Sequence, residues 1–286
     1  MLKINSFDLL EVLTYVFLWT TLYFTLCLWN SARSYEWHCR TVTTVHAIIV
    51  SCMAIYCTFR FGPWPFTDAG GPNSPLQVRT VSLCLGYFLF DVIWCLYFRT
   101  EGPAMMAHHF LSIAGLTWCL MSGSYGTELL ATIGGAEITN PLLQFRWFLR
   151  ETGRYKTLLG DIVDWAFMLL FGFFRIGFGS VLLYSYFQQD TDFWGRLGGV
   201  SIYIIGWIFF INIVNYAIRK YTRRYQAWTA RSLPSDNFPS TAQDSDPKGR
   251  IDIINDQDIP SQREIKYGNR ELILRKNCVV QENIES

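Results

Sequence analysis

Two adjacent histidines, His108 and His109, lie inside a long apolar block of the sequence. An imidazole in hydrocarbon costs free energy unless it faces a partner or water, so polar groups at this depth mark a candidate site. A histidine here is suited to act as a general base or as an acyl-accepting nucleophile. Asp91, in the preceding apolar block, is placed to orient the imidazole as a triad carboxylate does. We therefore predict that His108, His109 and Asp91 are catalytic residues.

A second set of polar residues is predicted to hold a lipid or substrate. Glu137 and Asn140 lie in the apolar block after the histidine pair, Arg175 lies in the block after that, and His46 lies in the second block of the chain. A guanidinium in mid-membrane needs an anion, so we expect Glu137 and Arg175 to form an ion pair. The alternative for all these residues is that they only join helices through hydrogen bonds.

The block that carries Glu137 is predicted to be a broken helix. Pro141 has no N–H to donate to the carbonyl of Glu137, and Gly134-Gly135 weakens the preceding turn. Freed backbone at membrane depth is tolerated where it lines a cavity.

The elements that must position these residues are membrane-spanning helices. The chain has 286 residues, of which 51% are hydrophobic and only 16% charged, against about 25% in soluble domains. We predict an all-α polytopic membrane protein with about seven transmembrane helices. The predicted spans are Leu9 to Trp29, Arg40 to Phe59, Val81 to Phe98, Ala104 to Met121, Leu129 to Phe148, Leu158 to Phe187 and Leu197 to Ile218.

Three regions follow from this pattern. Residues 1–33 form an N-terminal transmembrane helix, residues 34–226 form a helix bundle, and the polar residues 227–286 form a tail that we expect to be disordered. No structural disulfide is expected, because thiols inside apolar blocks behave as small hydrophobes. The cysteines in such blocks are Cys27, Cys52, Cys57, Cys84, Cys95 and Cys119.

The distribution of Lys and Arg predicts the orientation of the chain. With seven spans, most basic residues at span ends fall on one side, which is then cytosolic together with the C-terminus. His46, Asp91, His108 and His109 then share one layer, about 10 Å below the cytosolic face. We predict that these four residues line one polar pocket. Because adjacent residues on a helix point about 100° apart, only one of the two histidines can face a cavity squarely.

The pattern resembles the TLC domain shared by translocating-chain-associated membrane proteins, Lag-type ceramide synthases and the CLN neuronal ceroid protein. The resemblance covers residues 34–226 and is greatest to the small TLC domain-containing proteins. It implies a core of six transmembrane helices. It is carried by the His108-His109 pair, Trp37-His38-Cys39-Arg40, His46, Glu137-Ile138-Thr139-Asn140-Pro141 and Phe173-Phe174-Arg175.

The resemblance implies a role in lipid homeostasis or membrane lipid composition. The mechanism is left open between a His-centred acyl transfer and a non-catalytic lipid-binding or regulatory role, and a ceramide-synthase-like N-acyltransferase is a further alternative. Ceramide synthases also carry a His-Asp and a further Asp downstream of the pair, where this chain has Gly135-Ala136 and Thr139. That departure disfavours N-acylation of a sphingoid base.

The expected partners are membrane lipids, without nucleic acid, and acyl-CoA is the candidate co-substrate. No cofactor is expected. A metal site formed by the histidine pair with His46 is not expected either, because adjacent histidines lack the i, i+4 spacing of helical metal sites. We expect the endoplasmic reticulum rather than the plasma membrane as the location.

Overall fold

A computed structural model describes the chain from Ser6 to Ser232. These residues form helices and connecting loops, with no strand among them. The α-helices are α1 (Ser6–Trp29), α2 (Tyr35–Tyr56), α3 (Pro75–Phe98), α4 (Pro103–Ser122), α5 (Gly126–Glu137), α6 (Asn140–Glu151), α7 (Leu158–Phe171), α8 (Gly179–Gln188) and α9 (Phe193–Ser232). Two π-helical segments, Cys57–Phe61 and Gly172–Phe178, follow α2 and join α7 to α8.

The helices begin and end at recognisable signals. The Ser74 side chain accepts a hydrogen bond from the Gln77 N–H, the Gln77 side chain accepts one from the Ser74 N–H, and Pro75 opens α3. This capping box satisfies backbone donors that a helix start leaves unpaired. Pro103 likewise opens α4, which ends at Gly123 with a left-handed φ of 70° that favours glycine.

Six helices of the described chain are long and apolar enough to cross a membrane. They agree with six of the predicted spans, and the sixth predicted span is one helix of 31 residues through α7, the π-helical segment and α8. The membrane-spanning stretches are Leu9–Trp29, Tyr35–Arg60, Pro75–Phe98, Pro103–Ser122, Leu158–Gln188 and Phe193–Thr229.

The remaining predicted span is divided between α5 and α6. Each has 12 residues, about 18 Å of helix, which is too short to cross hydrocarbon alone. Both lie against α2. A Cβ on Gly134 would lie 3.3 Å from Ala54, and Nη1 of Arg40 donates to Oε1 of Gln144 at 3.4 Å. Together α5 and α6 therefore follow α2 in the opposite direction as one broken crossing.

The break in this crossing falls at Ile138 and Thr139, between α5 and α6. Pro141 stands in the first turn of α6, where its missing N–H leaves no helical hydrogen bond unmade. The Thr139 hydroxyl donates to the carbonyl of Ala136 at 3.2 Å. The predicted kink between Gly134-Gly135 and Pro141 is confirmed.

The apolar core lies among α1 to α5, with α3 at its centre. Two helices approach closely at Gly86 of α3, where a Cβ would lie 2.6 Å from Cβ of Tyr15 and 3.0 Å from the Val16 nitrogen. These atoms belong to the α1 backbone and its first side-chain carbon, so they cannot rotate away. Glycine at position 86 therefore lets α1 and α3 pack in contact.

Gly86→Ala is expected to destabilise the protein by about 1–3 kcal/mol, because the added methyl group must push α1 away from α3. Thermal unfolding of the purified protein in detergent measures the effect. Gly115→Ala is the matched control, since a Cβ on this helical glycine meets nothing within 4 Å. Equal melting temperatures for the two variants would contradict the close approach.

The chain divides into two compact units, Met1–Arg224 and Tyr225–Ser286. Within the second unit the structure describes the last residues of α9, up to Ser232. Nearly all of the predicted disordered tail, residues 227–286, therefore lies outside the described residues. The candidate site lies in the first unit.

Candidate functional site

A cavity of about 440 Å³ lies between α3, α4, α5, α8 and α9. Most of its lining side chains are apolar. It follows α4 from His108 to Cys119, which is about 16 Å of helix. Trp118 and Trp194 lie at the end remote from His108. The cavity therefore extends along much of α4, with Trp118 and Trp194 at the end remote from His108.

Three ionisable side chains lie at the opposite end of the cavity: His108 in the second turn of α4, Glu137 at the end of α5, and Arg175 in the π-helical segment. A π-helical turn inside an α-helix often accompanies a functional site. Here the π-helical segment Gly172–Phe178 and the end of α5, where the crossing breaks, line the same side of the cavity. Two irregularities of the helix bundle thus place charged groups at one end of an apolar cavity.

Part of the polar surface at this end has no protein partner. In the described chain neither Nδ1 of His108 nor Nε of Arg175 has a hydrogen-bond partner, although both atoms are buried. Buried polar atoms are nearly always hydrogen-bonded, so an exception needs an explanation. Both residues also line the cavity, so their side chains lie next to any molecule bound there.

The predicted ion pair between Glu137 and Arg175 is wrong. Nη2 of Arg175 donates to the carbonyl of Ala136 at 3.2 Å, and Oε2 of Glu137 accepts from Nδ2 of Asn140 at 3.0 Å. No ion pair within 4.0 Å joins the two side chains in the part of the chain that the structure describes. The π-helical turn and the helix break hold the two charges apart, although they still attract each other at longer range. Both groups consequently keep polar atoms available to the cavity.

His109 points away from the cavity towards α3. Its Nε2 lies 2.7 Å from Oδ2 of Asp91, and its Nδ1 lies 2.8 Å from the carbonyl of Met105. The expectation that only one histidine faces the cavity is confirmed, and that histidine is His108. Asp91 contacts His109 and not His108, so it does not orient the imidazole that lines the cavity.

His46 is fully buried on α2, outside the cavity lining. Its ring stacks on Tyr87 with a centroid distance of 3.7 Å, and its Nδ1 lies 3.9 Å from Oε2 of Glu137. His46, His108 and His109 surround the ring of Phe88, with centroid distances of 6.3, 5.8 and 5.7 Å. The four residues His46, Asp91, His108 and His109 therefore lie close together, as predicted, but the prediction that they line one polar pocket is wrong, because the Phe88 ring lies among the three imidazoles and only His108 lines the cavity.

The remote end of the cavity is held by hydrogen bonds between loops and helices. The Tyr125 hydroxyl donates to Oδ2 of Asp192 at 2.5 Å, and the Glu128 carboxylate accepts from the Gly70 N–H at 3.1 Å. Burial and the neighbouring Asp192 carboxylate raise the pKa of Tyr125 to about 12. The Tyr125 phenol therefore stays protonated at neutral pH and keeps donating.

Sequence reasoning missed a network of charges that joins α6, α7 and α9. Asp164 on α7 contacts Nε of Arg146 at 2.5 Å, Nζ of Lys220 at 2.6 Å and the hydroxyl of Tyr155 at 2.5 Å. Asp161 also contacts Lys220 at 2.9 Å. Two aspartates three residues apart in an apolar block are a signal that could have been found, since intramembrane carboxylates call for a cation.

Comparison with known proteins identifies a related family. A family model described as the TLC domain matches residues 36–218. TLC domain-containing protein 4-B of Xenopus laevis is 24% identical over 183 residues, which cover 59% of this chain and 65% of that protein. TLC domain-containing protein 4 A of Dictyostelium discoideum is 23% identical over 145 residues, covering 49% and 55%. The matched region thus spans less than two thirds of either relative.

Proposed function

This chain belongs to the TLC domain family, and from that premise we propose that it is a membrane protein that binds a lipid in the cavity and thereby acts in lipid homeostasis. The hydrocarbon part of the lipid lies along α4 between His108 and the Trp118 end. The polar or activated end lies beside His108, Glu137 and Arg175.

The observation that carries the proposal is the polarity of the cavity along its length. A lipid is a long apolar chain with a polar group at one end, and the cavity has a mainly apolar lining about 16 Å long with His108, Glu137 and Arg175 at one end. At the other end the Glu128 carboxylate is already held by the Gly70 N–H. Ligand sites are typically apolar cavities in which a few polar groups fix the orientation of the ligand. The side chains of His108 and Arg175 line the cavity and are placed to do so here.

The charges at the polar end favour a headgroup with hydrogen-bond acceptors. The Arg175 guanidinium donates to a carbonyl or a phosphate, and His108 supplies a second polar contact at the same end. Nδ2 of Asn140 donates to Oε2 of Glu137 at 3.0 Å, and Asn140 itself does not line the cavity. We therefore assign Asn140 a positioning role rather than a contact with the lipid.

Filling the cavity is expected to reduce lipid binding without unfolding the protein. Gly115 and Gly198 both line the cavity, and a Cβ on either meets nothing within 4 Å. Gly115→Leu and Gly198→Leu therefore place a side chain in the space that we assign to the hydrocarbon. We expect several-fold less co-purified lipid by mass spectrometry from detergent-solubilised protein.

Gly102→Leu is the matched control, because Gly102 has open space around it and lies outside the cavity lining. This variant should retain the lipids of the wild type. If both cavity variants fold and co-purify the same lipids in the same amounts as Gly102→Leu, the cavity does not hold lipid and the proposal is wrong.

Acyl transfer is the second candidate function. It is favoured by the His108 imidazole, which lines the polar end of the cavity, where a reacting group of a bound lipid would lie. In this reaction a hydroxyl or amine of the acceptor lipid attacks the thioester carbonyl of acyl-CoA. A new C–O or C–N bond forms and the C–S bond breaks. His108 takes the proton from the acceptor and passes it to the departing thiolate, as a general base and then acid.

A further inference from the structure

A second set of chemically active side chains lies behind the cavity wall, where α2, α3 and α4 meet. One donor atom each from Asp91, Cys95 and His109 can be chosen so that all three lie within 4.8 Å of one another. Sγ of Cys39, on α2, lies 3.6 Å from Oδ1 of Asp91. All four residues are buried. An oxygen and a sulfur of α3 and a nitrogen of α4 therefore form one cluster, and the Cys39 sulfur of α2 lies beside the Asp91 carboxylate.

The hydrogen bond of His109 to the backbone directs its second nitrogen towards this point. Nδ1 faces the carbonyl of Met105 at 2.8 Å, and a carbonyl can only accept, so Nδ1 carries a proton. In a neutral imidazole Nε2 then has a lone pair, and it faces the Asp91 carboxylate at 2.7 Å. Two acceptors cannot bond to each other, so a proton lies between them at this distance, and a metal ion that replaced it would require the two atoms to separate to about 3.3 Å.

The same arrangement is the usual support of a metal-binding histidine. A ligating imidazole generally donates its other N–H to a backbone carbonyl or a carboxylate, which fixes the tautomer and the ring orientation. Asp91 and Cys95 are four residues apart on α3, so both side chains lie on one face of that helix. Each donor is thus aimed before any ion binds.

We propose that Asp91, Cys95 and His109 bind one zinc ion, with Cys39 as the fourth ligand. A mixed set of sulfur, nitrogen and oxygen donors suits zinc better than magnesium or calcium, which take oxygen ligands. Tetrahedral zinc with bond lengths of about 2.0–2.3 Å places its ligands about 3.3–3.8 Å apart. The donors of Asp91, Cys95 and His109 lie within 4.8 Å of one another, so shifts of about 1 Å bring these three to this spacing.

Zinc offsets most of the charge of its ligands at this site. Cysteine binds zinc as a thiolate, so Asp91, Cys39 and Cys95 supply three negative charges against the two positive charges of the ion. Burying these anions with the ion costs far less free energy than burying them alone. Binding releases the thiol protons of Cys39 and Cys95 and the proton between His109 and Asp91, as expected for ligands that must deprotonate.

The role of the zinc ion would be to join α2, α3 and α4 on the side of α4 that faces away from the cavity. Such a closed site is structural rather than catalytic, because protein ligands occupy all four positions. It would hold α4 in the rotation that points His108 into the cavity. The proposal does not depend on which molecule the cavity binds.

The first test is the metal content of the full-length protein purified in detergent from zinc-sufficient cells. We expect about one zinc ion per chain in the wild type, and at least about a tenfold lower content in Cys95→Ser. Cys84→Ser is the matched control, because Cys84 is another buried cysteine of α3 but lies outside the cluster. It should keep the wild-type zinc content.

A spectroscopic test covers the case in which Cys95→Ser does not fold. Wild-type protein exchanged with Co²⁺ should show the near-ultraviolet charge-transfer absorption of a cobalt–thiolate bond. Folded wild type that binds no zinc when it is supplied in excess, or a cobalt-exchanged protein without this absorption, would overturn the proposal. So would equal zinc contents in folded Cys95→Ser and Cys84→Ser. A proton shared by His109 and Asp91 would then be the only cation between them.

Discussion

His108→Ala is expected to slow transfer of a labelled acyl chain by about 10²–10⁴-fold, the usual contribution of a general acid–base group. The protein should still fold, because in the described chain His108 leaves Nδ1 without a hydrogen-bond partner and holds no helix through that atom. The measurement is acyl transfer from labelled acyl-CoA to membrane lipids by the purified, reconstituted protein. Loss of turnover with normal folding identifies a group that acts on the reacting atoms.

His109→Ala is the comparison variant, and its expected effect is different. Removing His109 leaves the buried Asp91 carboxylate without its partner at 2.7 Å, so the yield of folded protein should fall. If His108→Ala transfers acyl chains at the wild-type rate, His108 is not the acid–base group. If the wild type transfers none while the cavity variants still lose lipid, the protein binds lipid without acyl transfer.

Asp164→Asn is expected to destabilise the protein by about 3–5 kcal/mol, the cost of removing one partner from a buried ion pair. Asp164 contacts both Arg146 and Lys220, and the side chains of all three residues are largely buried. Its loss leaves the Arg146 guanidinium facing an uncharged amide, while Lys220 keeps only the Asp161 carboxylate. Unfolding of the detergent-solubilised protein, followed by circular dichroism, measures the change.

Two further variants test whether the effect comes from uncompensated charge. Asp161→Asn should cost much less, because Asp161 is more exposed and its contact with Arg224 is near the surface. The combined replacement of Arg146 and Lys220 by Met with Asp164 by Leu should be more stable than Asp164→Asn alone. If the losses of stability simply add, the three residues do not act as a network.

The positions of the six long helices and of the broken crossing follow from sequence alone for a simple physical reason. Hydrocarbon excludes unpaired backbone and charge, so a crossing needs a long apolar helix, and proline with paired glycines weakens a helix in any surroundings. The six long helices and the break at Ile138 and Thr139 therefore agree with the predictions. These properties depend on residues that are close together in the chain.

Sequence also placed the polar residues at a common depth, since a helix rises by about 1.5 Å per residue. Depth does not tell which neighbour a side chain faces. That depends on the rotation of each helix about its axis, which is set by packing over its whole length. Phe88 lies among three histidines that were expected to share a pocket, and the π-helical turn directs Arg175 to the Ala136 carbonyl instead of Glu137.

Only the tertiary structure shows that the two adjacent histidines have different surroundings. Their 100° difference in direction was predictable, but which of them faced the cavity depended on the position of α3 beside α4. Because Asp91 lies on the face of α3 that packs against α4, His109 contacts the Asp91 carboxylate and His108 lines the cavity. Residue type and spacing thus determined which groups are available for chemistry, while helix packing determined which of them meet, because contacts between helices depend on rotations that no local pattern specifies.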